Sequence, residues 1–242
     1  TPNGFHATVF SARGTFQIDP FQRGDIDNYI TYFKRDLTAK REFHCEIEEQ
    51  LHQNDDPTFS FPAAAPAAFS HGAQIRTYRL AIAVTAEYTA VFGNQTAALA
   101  QVATTTNRMN GIYRRDFAVG LQLVSGTNLI YTNAATDPYT NVLSSAQLTV
   151  NQTNIDAVIG SANYDVGHLF ATSNNGIAQL GSICSGTGKA RGGLGQPNPQ
   201  GDGFDVDYVA HEIGHQIGAN HPFNAPGNCG SSPAAARMEP GS

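Results

Sequence analysis

Near its C-terminus the chain reads His211-Glu212-Ile213-Gly214-His215-Gln216-Ile217-Gly218-Ala219-Asn220-His221, a run of the form H-E-x-x-H-x-x-G-x-x-H. Four residues at 100° each bring His215 to within about 40° of His211, so both imidazoles leave one helix face. Glu212 lies beside the first of them, where it can take a proton from a zinc-bound water. Gly218 supplies the backbone freedom to end the helix and turn the chain. His221 can then return as a third nitrogen ligand. Three histidines leave the fourth tetrahedral position open to water, which distinguishes a catalytic zinc site from a closed structural one. The chemistry this pattern can do is peptide-bond hydrolysis.

The elements around the motif must hold it in place. Phe204, Val206, Val209, Ile213 and Ile217 recur at roughly helical spacing, so the motif lies on an amphipathic helix. Upstream, from about Ile75, the pattern is α/β. Residues 78–84 are a strand, 94–115 a long helix and 117–124 a second strand. Residues 148–159 are a helix weakened by Thr and Asn, and 166–171 a short buried strand. An Asn174-Asn175-Gly176 turn follows, then an edge strand within 177–184, and the Gly-rich stretch 186–203 reads as loop. Residues 1–33 read as short strands separated by turns, with a further strand over 43–47. Between 56 and 70 the chain is rich in Ala, Pro and Phe without any period, which marks a linker. Three segments follow: a β-rich 1–55, a linker 56–74 and a main domain 75–242.

Composition narrows the function classes. The chain has 242 residues, a net charge of -6 and only 14% charged residues, below the usual quarter or so. Nothing in that balance favours nucleic acid or an anionic membrane as a partner. No apolar run reaches the ~20 residues that cross a bilayer. The opening Thr1-Pro2-Asn3-Gly4-Phe5 lacks the basic start and apolar stretch of a signal peptide, so an exported protein would already have lost its leader. Gly186-Thr187-Gly188-Lys189-Ala190 lacks the earlier Gly and the following Ser/Thr of a phosphate loop, which argues against nucleotide binding. Asn94-Gln95-Thr96 and Asn151-Gln152-Thr153 fit glycosylation acceptors but fall in expected helices. The three cysteines, Cys45, Cys184 and Cys229, match no zinc ribbon, and an odd count leaves at least one without a partner in this chain. Cys184 and Cys229 could pair, which spacing alone does not decide.

With these residues in view, the chain resembles the adamalysin/reprolysin (ADAM-like) branch of the metzincin zinc metalloproteases, and looks closest to the bacterial secreted type. The resemblance rests on 209–215 for the zinc helix, 76–84 for a first strand, and 176–184 for an edge strand with its following cysteine. It implies an α/β (α+β) catalytic domain with a twisted mixed sheet and a zinc-binding active-site helix, preceded by a small β-rich pro-segment. It also implies one catalytic Zn2+ on His211, His215 and His221, Glu212 as general base and later proton donor, and protein or peptide substrates outside the cell. Calcium is a further candidate ion. Gly176, Ile177, Ala178, Gln179 and Leu180 would hold an extended substrate by main-chain pairing, or form an ordinary edge strand.

The same resemblance makes residues 1–55 the end of a pro-segment, on Gln17-Ile18-Asp19-Pro20 and on 29–36. Cys45 then falls where such segments carry a zinc-blocking thiol, so the pro-segment would act as the enzyme's own inhibitor. Glu46 stands where Gly usually follows that cysteine, and a packed or disulfide-bonded structural cysteine is the other reading. Two further departures bear on the family pattern. Pro222 follows the third histidine where Asp is usual, and Met238 is the only downstream methionine for the turn expected beneath the zinc. Either Met238 is that residue or the domain is truncated before its Met-turn, which would also account for missing cysteine partners. The alternatives to a latent protease are a non-catalytic zinc-stabilised peptide-binding module and an inactive truncated fragment.

Overall fold

The computed structural model describes residues 1–37, 45–48 and 74–219. The expected linker up to residue 73, together with His221, Pro222, Cys229 and Met238, lies outside the described residues. Two sheets organise the rest. The first is a meander of β1 (Ala7–Ser11), β2 (Gly14–Pro20) and β3 (Tyr29–Phe33), antiparallel in the order β1-β2-β3. The second contains β4 (Cys45–Glu48), β5 (Arg76–Val84), β6 (Val119–Leu123), β7 (Val166–Ala171), β8 (Gly176–Gln179) and β9 (Gly192–Gly195). Its order is β4-β8-β9-β7-β5-β6, with the β8–β9 pair antiparallel and the others parallel. The mixed sheet expected from the sequence is therefore present.

Period two on β5 explains the layers. Leu80, Ile82 and Val84 point to one face, where they meet α1 (Ala86–Phe92), α2 (Gln95–Phe117) and α4 (Val209–Ile217) through Tyr88, Val102, Met109, Val209 and Ile213. Ala81 and Ala83 point to the other, against α3 (Ser145–Ile159) through Leu148 and Ile155. A strand buried on both faces reads as an unbroken apolar run, as 80–84 does. The helices start at side-chain caps. Thr85, Asn94 and Ser144 each accept a hydrogen bond from the backbone N–H three residues on. No described helix is long and apolar enough to cross a membrane.

Two expectations need correction. The Gly-rich stretch 186–203 is not all loop, since it contains β9, which is central in the sheet. Strand 176–180 is outermost among the strands of 74–219 but shorter than expected. It ends at Gln179, leaving Leu180 beyond it, and its outer side is paired by β4 in parallel, Cys45 opposite Gly176 and Glu48 opposite Gln179. Within 1–55, β1–β3 form a sheet of their own while β4 joins the large one. Helix α1 was not foreseen, being too short at 7 residues to show a period.

The small sheet sits against α2 and the approach to α4. Asn3 Nδ2 donates to Ala97 O at 2.9 Å, Phe10 lies under the Arg115 guanidinium at 4.1 Å, and the same ring touches Gly111. Between them runs a buried charge ladder. Arg108, on α2, donates to Asp19 of β2 and to Asp205 at 2.8 Å. Asp19 also takes bonds from Tyr32 and His6, both at 2.6 Å.

Candidate metal centre

The chain enters α4 through a π-helical turn, Gly203–Tyr208, that wraps in-register with the helix that follows. Its wider coil buries Phe204 and Asp205 together. Phe204 packs edge-on against Phe170 and tilted against Tyr88, while Asp205 accepts from Thr105 at 2.6 Å and from Arg108. Burial pushes the Asp205 carboxyl up to about 6, against the pull of Arg108 and Thr105. Burial also raises Asp19, but His6, Arg108 and Tyr32 more than offset it and hold that carboxyl below its ordinary value. Asp202 and Asp207 complete the turn's acidic set, with Lys34 bonded to Asp207 and 3.2 Å from Asp202, and Gln17 donating to Asp202. Sequence reasoning missed this set, since its partners lie on elements far apart in the chain.

In α4 itself, Val209 and Ile213 face the core. The helix stops at Gly218, whose φ of 111° is left-handed and whose N–H reaches back to Gly214 O and His215 O. That is the turn the sequence assigned to Gly218. His211 and His215 project from one face, their Nε2 atoms 3.1 Å apart. His215 Nδ1 donates to Ala219 O at 2.7 Å, which fixes its ring and turns the other nitrogen toward His211. Cys45, at the start of β4, brings its Sγ to 3.4 Å from His215 Nε2. One ligand atom each from Cys45, His211, Glu212 and His215 lies within 4.8 Å of the others.

Glu212 is fully buried, and neither carboxylate oxygen takes a hydrogen bond from a described nitrogen or oxygen. Burial pushes its carboxyl up to about 8, and contact with the Cys45 thiol pulls partly the other way. A buried carboxylate without a donor is costly unless a cation or a water completes it.

The donor set fits zinc. Bonds of about 2.05 Å to nitrogen and about 2.3 Å to sulfur at tetrahedral angles set N···N near 3.3 Å and N···S near 3.6 Å. The observed separations of 3.1 and 3.4 Å are within a few tenths of an ångström of those edges. Two imidazoles and a thiol are also the borderline-soft donors that zinc takes readily. Of the residues expected at the site, the structure thus brings together His211, His215, Glu212 and Cys45, with Gly176–Gln179 directly under β4. Residue Cys184 is exposed, has a φ of 59°, and forms no disulfide among the described residues.

Comparison with known proteins agrees with this geometry. No curated protein matches the chain. Residues 74–242 match the profile described as metallo-peptidase family M12B, reprolysin-like, a span that takes in every element from β5 to the metal helix and excludes β1–β4. The chain, a mixed α/β sheet with a histidine-bearing helix beneath its β8 edge, therefore belongs to the reprolysin-like metzincins, zinc metallopeptidases of family M12B.

Proposed function

We propose that this chain is a secreted zinc endopeptidase in latent form. His211, His215 and His221 hold the metal, Glu212 serves as general base, and Cys45 closes the fourth position. The observation that carries the reading is the approach of Cys45 Sγ to His215 Nε2 at 3.4 Å while β4 pairs along β8. One short segment thereby covers both the metal position and the strand edge that would hold a peptide.

Bound there, zinc supplies a Lewis acid that polarises a scissile carbonyl and acidifies water. The chain's own residues do the rest. Glu212 Oε accepts the proton of the attacking water and returns it to the leaving amine. His215 is kept in one tautomer by Ala219 O. All four residues of β8 are buried with β4 paired along them. With β4 in place, that pairing edge is taken.

The test is zinc content and casein hydrolysis by the purified chain, before and after a thiol-modifying mercurial, alongside Glu212→Ala. One zinc per chain, cleavage that appears on treatment, and a Glu212→Ala protein that keeps zinc but loses at least about 100-fold in turnover are expected. Zinc binding without cleavage under any condition would favour the peptide-binding module or the inactive fragment instead.

A further inference from the structure

We propose that His168 and Gln216 act as a positioning pair for the metal centre, fixing the rotation of the last turn of α4 on the sheet and with it the ring of His215. The inference rests on the reading of the site as a zinc centre.

Gln216 follows His215 directly and turns its side chain toward the sheet, where it has no exposed surface. Its amide is engaged at both ends. Nε2 donates to Gly167 O at 2.9 Å and lies 3.3 Å from Lys189 O and 3.5 Å from Ser182 Oγ. Those acceptors fix which way the amide faces, so Oε1 is the atom 2.7 Å from His168 Nδ1. An amide oxygen only accepts, so His168 carries its proton on Nδ1. Burial pushes its pKa down to about 4, which keeps the ring neutral.

His168 is otherwise hard to explain. It is on β7, between Val166 and Phe170 on the same face, with no exposed surface and no described partner for Nε2. An apolar side chain would fill that place without orphaning a ring nitrogen. Among the described residues, the one hydrogen bond the imidazole makes goes to Gln216. Space has also been cleared for the pair. A Cβ on Gly192 would lie 2.5 Å from Gln216 Cδ and 2.8 Å from His168 Nδ1.

The last turn of a helix leaves carbonyls without intrahelical partners, and it frays unless they are held. Here Gly181 N donates to His215 O and Ile183 N to Gln216 O, both at 2.9 Å. The main chain around His215 is thus tied to residues 181–183, and the side chain of the next residue is tied to β7. His215 has no freedom to rotate about the helix axis, and its Nε2 meets the metal position preformed.

The experiment measures zinc affinity of the full chain by competition with a chromophoric chelator, in wild type, His168→Leu and His168→Asn. The Asn amide nitrogen falls where His Nδ1 does, so it keeps the donor. His168→Leu is expected to lose about 10- to 100-fold in zinc affinity and His168→Asn to stay within about threefold of wild type. A His168→Leu protein that melts lower yet binds zinc as wild type does overturns the proposal and leaves the metal centre standing. Wild type that binds no zinc overturns both. Should His168→Leu not fold, NMR of the His168 Nδ1–H proton in wild type serves in its place. Its resonance is expected downfield and slow to exchange, as a hydrogen-bonded proton, both without and with zinc, and a signal lost to exchange overturns the pairing.

Discussion

Arg108→Met isolates the charge ladder that joins the small sheet to the entry of the metal helix. The side chain is 3% exposed and stands between Asp19 and Asp205, the second of which is completely buried. Met preserves most of the stem and removes the cation, leaving Asp205 with Thr105 at 2.6 Å and Gln101 at 3.4 Å as donors. Removing one partner of a buried pair costs about 3–5 kcal/mol. The structure sets a ceiling on that cost, because Asp205 can take a proton instead of staying charged. From its folded value of about 6, protonation at about 1.36 kcal/mol per unit costs about 1.4 kcal/mol at pH 7 and close to nothing at pH 5. A carboxyl whose folded pKa is raised contributes stability at low pH that is lost as pH rises through that pKa. The Asp205 part of the Arg108→Met penalty should therefore be about 1.4 kcal/mol at pH 7 and nearly vanish at pH 5. Urea unfolding at both pH values measures it, and the triple variant with Asp19→Asn and Asp205→Asn should recover most of the loss. A penalty under 1 kcal/mol at pH 7, or one equal at both pH values, would refute the ladder as a buried electrostatic element.

Other outcomes follow from the same coordinates. Cys45→Ser should give casein hydrolysis without mercurial at least about tenfold above untreated wild type, since an alcohol is a far poorer zinc ligand than a thiolate; equal rates would remove Cys45 from latency. Gly192→Ala should destabilise by about 1–3 kcal/mol, because the added Cβ would press on Gln216 Cδ at 2.5 Å, and a urea midpoint unchanged from wild type would contradict the packing. His168 is held neutral with a pKa near 4, so below the ordinary 6.5 the unfolded chain binds a proton that the folded one refuses. Between pH 6.5 and 4, wild type should lose about 3 kcal/mol relative to His168→Asn, checked by urea unfolding of both across that range.

What the sequence made legible was what one element can encode by itself. The spacing of His211, Glu212 and His215 is a property of a single helix, and the run Leu80–Val84 announces a strand buried on both faces. Longer elements such as α2 showed their period for the same reason. Strand β9 was hidden because three of its four residues are glycines, chosen for close approach and not for propensity: a Cβ on Gly193 would lie 2.9 Å from Leu143, and one on Gly192 would strike Gln216. The π turn is hidden because Phe204, Val206 and Val209 still recur at roughly helical spacing, so the run reads as one α-helix with Ile213 and Ile217. The cover over β8 and the Asp19–Arg108–Asp205 ladder were illegible because their partners are separated by 131 and by 89 or more residues, and no local pattern records such pairings.

The π turn at Gly203–Tyr208 also acts as a length reserve. It holds one residue more per turn than an α-helix would. A chain shortened by one between 203 and 208 could close as α-helix and deliver His211 and His215 on the same face as before. The same deletion inside α4 would turn everything beyond it by about 100° and drive the two imidazoles apart. Chain length can therefore drift by one upstream of the metal helix at no cost to its phase. What such drift would surrender is the outward loop of backbone that carries Asp205 to Arg108, and with it the grip of the small sheet.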